Sequence, residues 1–309
     1  MHRPAWIHGP GRDTALALCW VPFAVGVVAI QGHRHALAAA LSAVLLLSLS
    51  HQPVTLALVY GDGARFRDHR RIYLVGPAVA LGVVLFGLHV SLLLVAVVAG
   101  LWNAEHTLMQ RYGITRLYGR KAGDDHGGLE RPMLFSWLGL AMIAAAANPR
   151  TPRYLAQVDL GDVNRRGITF LTRFRPEAAL LLVPAMVVAA VLTARWVRAE
   201  RAAPVANPAK WVYVGATGAL VLTVCVDPVA GFAAYVGAHA LEYFVIVRGA
   251  ADGGVVPLMM LAKVGSFTVA TAAYLTVGAL HIFYDGLIWK QRAPAVAADL
   301  GALQVAVAT

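Results

Sequence analysis

The sequence predicts an all-α, polytopic transmembrane bundle of about eight to ten helices, and three observations predict it. The 309-residue chain is 59% hydrophobic and only 14% charged, where a soluble domain carries about 25% charge. Its mean hydropathy is +0.65. Several nearly uncharged stretches approach or exceed the roughly 18 residues that cross a bilayer. Residues 1–309 are expected to form one integral-membrane domain, because neither an internal repeat nor a low-complexity tract divides them.

Apolar stretches and their polar interruptions place the helices in order. They fall at 14–31, 36–60, 72–88, 91–115, 132–148, 178–196, 211–226, 229–248, 256–273 and 275–290. The stretches 72–110 and 256–290 are too long for one straight crossing, at about 1.5 Å per residue against about 30 Å of hydrocarbon. The first is divided near residues 87–89. The second is divided near residues 273–274, where neither proline nor glycine marks the place. The small, bland segment "APAVAADLGALQVAVAT" (293–309) reads as a loosely ordered tail. No small-residue cleavage site follows a short apolar core in "MHRPAWIHGPGRDTALALCW", so no cleavable signal peptide is expected.

The net charge of +10 invites a nucleic-acid reading, but its distribution opposes one. The basic residues cluster between apolar stretches, at Arg65, Arg67, Arg70 and Arg71 and again at Arg111, Arg116, Arg120 and Lys121. That is the positive-inside pattern, and a bacterial cytoplasmic membrane is the expected location. With a cytoplasmic N-terminus, the loops at 65–71, 111–131 and 195–210 face the cytoplasm, as do Lys290 and Arg292 if 256–290 is a hairpin. The loop 149–177 objects, because it carries six arginines yet falls outside. Either 132–148 does not cross, or the loop hides another membrane element, or its length exempts it. Cys19 and Cys225 both lie in apolar stretches and read as buried thiols rather than a disulfide.

Chemistry is carried by polar residues inside the apolar helices. "SLSHQPVTLALVYGD" holds His51 with Thr55 one turn on, and "LWNAEHTLMQRYG" holds Glu105 and His106. "GAHALEYFVIV" pairs His239 with Glu242 at i, i+3, and "HIFYDGLIWK" pairs His281 with Asp285 at i, i+4. Both spacings set the two side chains on one helix face. Each ionisable group costs about 2.5–3.5 kcal/mol in a membrane span, so such groups usually face a cavity and serve function. Counted from the cytoplasmic helix ends, all four histidines sit at one depth, about 12 Å below the surface.

Four histidines at one depth on four helices are expected to meet in a bundle core as metal ligands. Glu242, Asp285 and Glu105 would ligate, act in catalysis, or orient a histidine through its second ring nitrogen. Imidazoles with carboxylates suit one or two iron ions, or zinc. Arg111, Arg116, Arg120 and Lys121, just beyond, would hold lipid headgroups or the acid end of an amphiphilic substrate. His33, His35, His69 and His89 lie in loops or turns. His126, among Asp124, Asp125 and Glu130, reads as part of a polar glycine-rich loop.

A histidine on each of four membrane helices, with carboxylates nearby, resembles the integral-membrane non-haem iron oxygenases. That group includes fatty-acid desaturases and hydroxylases, and His51, His106, His239 and His281 look most like the Brp/Blh-type carotene dioxygenases. The desaturase boxes HxxxH and HxxHH are absent. The resemblance implies iron, dioxygen, a lipid or isoprenoid substrate and an electron-donor protein. With zinc instead, the same site would polarise a carbonyl or activate water. Two other classes use the same residues: a proton-coupled transporter or lipid flippase with a histidine–carboxylate relay, and a subunit binding haem through two histidines.

Overall fold

The computed structural model describes residues 6–124, 126–152, 173–250 and 267–289, and every regular element among them is a helix. In chain order these are α1 (Pro10–Ala17), α2 (Val21–Ile30), α3 (Arg34–Gly61), α4 (Gly63–Asp68), α5 (Arg70–Val90) and α6 (Leu92–Ala122). They continue with α7 (Gly127–Ala147), α8 (Arg175–Ala202), α9 (Pro208–Val226), α10 (Pro228–Ala250) and α11 (Phe267–Ile288). Among the described residues seven spans are long and apolar enough to cross a membrane, with α1 and α2 together making one of them. Pro53, Pro77, Pro132 and Pro184 lie inside helices that continue past them. Membrane helices tolerate this because neighbouring groups re-satisfy the freed carbonyl.

The described residues divide into two compact units, those up to Val44 with those in 107–239, and those in 45–106 with those from 240 on. In the first, α7 packs on α8 and α9, and α1 on α9. Leu108, Met133, Leu134, Trp196 and Val214 form one core. Trp20, Ala24, Leu220, Ala234 and Ala238 form another. The start of α10 is built of small residues for close approach: a Cβ on Gly231 would lie 2.3 Å from Val224 Cα. Asp227 caps this helix by accepting from Val229 N (3.2 Å) and Ala230 N (3.0 Å), while its other oxygen accepts from Gln31.

α7 and α8 are antiparallel. Trp137 Nε1 donates to Thr193 Oγ1 at 2.8 Å, and Glu130 and Glu200 both reach Lys210 at the opening of α9. A chain that enters the membrane at Gly127 therefore returns at Ala202, and residues 148–174 begin and end on one face. Of the three readings of the arginine-rich loop, the one in which 132–148 stays out of the membrane is not favoured, since α7 is among the spans. An extra element would fall on residues 153–172, outside the described residues.

In the second unit α11 packs on α5. Val54, Leu58, Val59, Tyr73, Tyr243, Leu280, Tyr284 and Ile288 share a core. Gly76 lets the Tyr284 hydroxyl come in, where a Cβ would be 2.8 Å away. Asp62 caps α4 by accepting from Ala64 N (2.8 Å) and Arg65 N (3.3 Å). The α5–α6 division falls at Ser91, just past the expected 87–89. The expected break at 273–274 is not there: α11 runs through it, as the absence of proline and glycine allows. Any earlier division of 256–290 and the tail 293–309 lie outside the described residues.

Candidate metal centre

Three helices of the second unit supply the ionisable groups and a fourth adds a phenol. α3 provides His51 and Thr55 on one face, α6 provides His106, α10 provides Tyr243, and α11 provides His281 and Asp285. His51 and His281 are each 1% exposed, and His106, Thr55 and Asp285 are also buried. His281 Nε2 lies 3.0 Å from His51 Nε2 and 3.2 Å from His106 Nε2. The His281 ring stands at 80° to both partner rings. Asp285 Oδ2 is 3.8 Å from His106 Nε2.

These contacts are hard to satisfy by hydrogen bonding alone. A neutral imidazole has one N–H and one lone pair, so His281 Nε2 can share a proton with only one of the two nitrogens facing it. The spacing fits a cation. Two nitrogens bound at about 2.1 Å and 90° apart lie about 3.0 Å from each other, and at the tetrahedral angle about 3.4 Å. Ligand atoms from His106, His281 and Asp285 all lie within 4.8 Å of one another, as a shared ion requires.

His239, Glu242 and Glu105 complete the sequence-predicted set. His239 is buried as the last residue of the first unit, and α10 carries on to Glu242, which is fully buried, and Tyr243. Glu105 is only half-buried, and no metal-capable group among the described residues includes it. Its helix neighbour His106 faces the cluster, and adjacent helical residues diverge by about 100°. Tyr243 was not anticipated, although its position four residues after His239 marks the same helix face. Its hydroxyl reaches Thr55 Oγ1 at 2.5 Å and Asp285 Oδ1 at 3.4 Å.

Two members of the basic quartet turn inward rather than toward lipid. Arg111 is fully buried, donates to Thr217 Oγ1 at 3.0 Å and lies over the Tyr213 ring. Arg116 is committed to Glu130 (3.0 Å) and Asp124 (3.3 Å). Arg120 and Lys121 are half-buried at the end of α6. The headgroup assignment fails for Arg111 and Arg116 because a guanidinium buried and engaged inside the protein is not available to a lipid phosphate.

His126 belongs to a second cluster, in the first unit. Gly123 has φ +78°, and Asp124 N bonds Gly119 O, a helix-ending turn that folds Asp124 back. Lys210, wholly buried, donates to Asp124 (3.0 Å), Glu130 (2.5 Å) and Glu200. His126 Nδ1 sits 2.6 Å from Glu200 Oε1. Asp124, His126 and Glu200 have the spacing of a metal site, but the Lys210 ammonium already stands on the same carboxylates. Burial pushes the Asp124 carboxyl up, yet Lys210, the His126 N–H and Arg116 together hold it below the ordinary carboxylate value. The sequence reading missed Lys210, although Asn207-Pro208 signals the helix start that aims it inward.

Comparisons with protein-family models, with curated proteins and with solved structures find no match.

Proposed function

We propose that the protein is a metal-dependent membrane enzyme in which His51, His106, His281 and Asp285 hold a metal ion. A non-haem iron oxygenase acting on a lipid or isoprenoid is the version that best fits this donor set. The observation that carries the reading is the approach of two imidazole nitrogens to His281 Nε2 at 3.0 and 3.2 Å. Imidazole with carboxylate, and positions left open, is the ligand chemistry of oxygen-activating non-haem iron. Iron bound there would supply dioxygen activation. The chain would supply the rest: Thr55 and Tyr243 hold His281 and Asp285, and the surrounding apolar helices keep water away from the ligands.

Elemental analysis of the full-length protein purified in detergent tests this. About one iron per chain, absent from His281→Ala and His106→Ala, is the expected result. A haem absorption band, or metal-free parent protein that moves protons in vesicles, would overturn it in favour of the haem or relay readings. Bound zinc would move the reaction to hydrolysis or isomerisation at the same ligands.

A further inference from the structure

We infer that Thr55 is the positioning residue of this centre: its single hydroxyl decides which nitrogen of His281 and which oxygen of Asp285 face the ion. The inference rests on the metal reading only for its consequence, because the atoms are selected by proton accounting in the protein alone.

Thr55 Oγ1 has three neighbours, His281 Nδ1 at 2.7 Å, Asp285 Oδ1 at 2.7 Å and Tyr243 Oη at 2.5 Å. A hydroxyl carries one proton and two lone pairs. A carboxylate only accepts, so the Thr55 proton goes to Asp285 Oδ1. Thr55 Oγ1 must then accept from a His281 Nδ1–H and from the Tyr243 O–H, which stands much nearer to it (2.5 Å) than to Asp285 Oδ1 (3.4 Å). With its one proton on Nδ1, neutral His281 presents a bare Nε2, the atom facing His51 and His106. Asp285, with Oδ1 held by Thr55, turns Oδ2 toward His106 Nε2. Thr55 lies on the face of α3 that carries His51, one turn away, so the same helix supplies a ligand and orients two others. The hydroxyl is the requirement: valine keeps the shape of Thr55 without it, and serine keeps it.

Nitrogen-15 spectra of histidine-labelled, metal-free, full-length protein in detergent read the tautomer directly, with His281 assigned by the signal lost in His281→Ala. The expected result is an Nδ1-protonated His281 in the parent and in Thr55→Ser, and loss of that tautomer in Thr55→Val. An Nε2-protonated His281 in the parent overturns the inference without reference to any variant, and so does an unchanged tautomer in Thr55→Val. Titration with Co²⁺, followed by its visible bands, reads the consequence. Thr55→Val is expected to bind about 10–100-fold more weakly, and Thr55→Ser within about threefold of the parent. Equal Co²⁺ affinity in Thr55→Val and parent would remove Thr55's hold on the ion. Failure of the parent to bind Co²⁺ would instead strike down the metal reading, leaving the tautomer measurement to decide Thr55.

Discussion

Asp124 stands in the loop between α6 and α7, between the permanent charges of Lys210 and Arg116. Its carboxyl is held below the ordinary value, so it stabilises the fold by being ionised. The sign follows: the contribution is fully present above the unfolded value near 4 and is lost as pH falls through the lower folded value. The thermal stability of the detergent-solubilised protein is therefore expected to fall below about pH 4. Asp124→Asn should lower the melting temperature at neutral pH and flatten that acid limb. A variant whose acid limb matches the parent would show that Asp124 is not the group responsible.

Helix packing in the first unit depends on where a side chain would find no room. Gly231 at the start of α10 meets Val224 so closely that Gly231→Ala must displace backbone, at a cost of about 1–3 kcal/mol. Gly215 in α9 has nothing within 4 Å of its missing Cβ, so Gly215→Ala should be neutral or slightly stabilising. Melting temperatures of the two variants in the same detergent check this, and equal values would contradict it. At this scale the sequence was informative about α3, α5, α9 and α10, whose ends fall within three residues of expectation, while α8 runs six residues past its expected end. Capping and proline signals at Asn207-Pro208 and Asp227-Pro228 explain part of that. The division of 256–290 was not legible, because apolar composition alone marks no break within a long helix. For the site, the i, i+4 pair His281 and Asp285 could be read directly. The roles of Thr55 and Tyr243 could not, since a hydroxyl's importance lies in which distant atoms it touches.

For the molecule as a membrane protein, the antiparallel pairing of α7 and α8 fixes the sidedness of two loops. Arg150 follows α7 and Arg201 ends α8, and both are exposed. The charge pattern puts Arg201 inside, so single cysteines at these positions should label from opposite faces. With Cys19 and Cys225 replaced by serine, Arg150→Cys should react with an impermeant maleimide in intact cells and Arg201→Cys only after lysis. Labelling of both from one face would contradict the pairing. The six arginines of the 149–177 loop stand against the positive-inside count, and the α7–α8 pairing fixes only that this loop begins and ends on one face.

His51 and His281 are 230 residues apart in the chain. At about 5–20 residues per second, the first of them waits on the order of ten to fifty seconds after synthesis before the second exists. Throughout that interval the His281 and Asp285 atoms that face His51 and Thr55 do not yet exist. If the centre holds an ion as proposed, loading would be the closing event of biogenesis, because a chain halted before α11 lacks His281 and Asp285, two of the four proposed ligands. Such a chain would be marked as unfinished by the same polar residues that the finished one buries together.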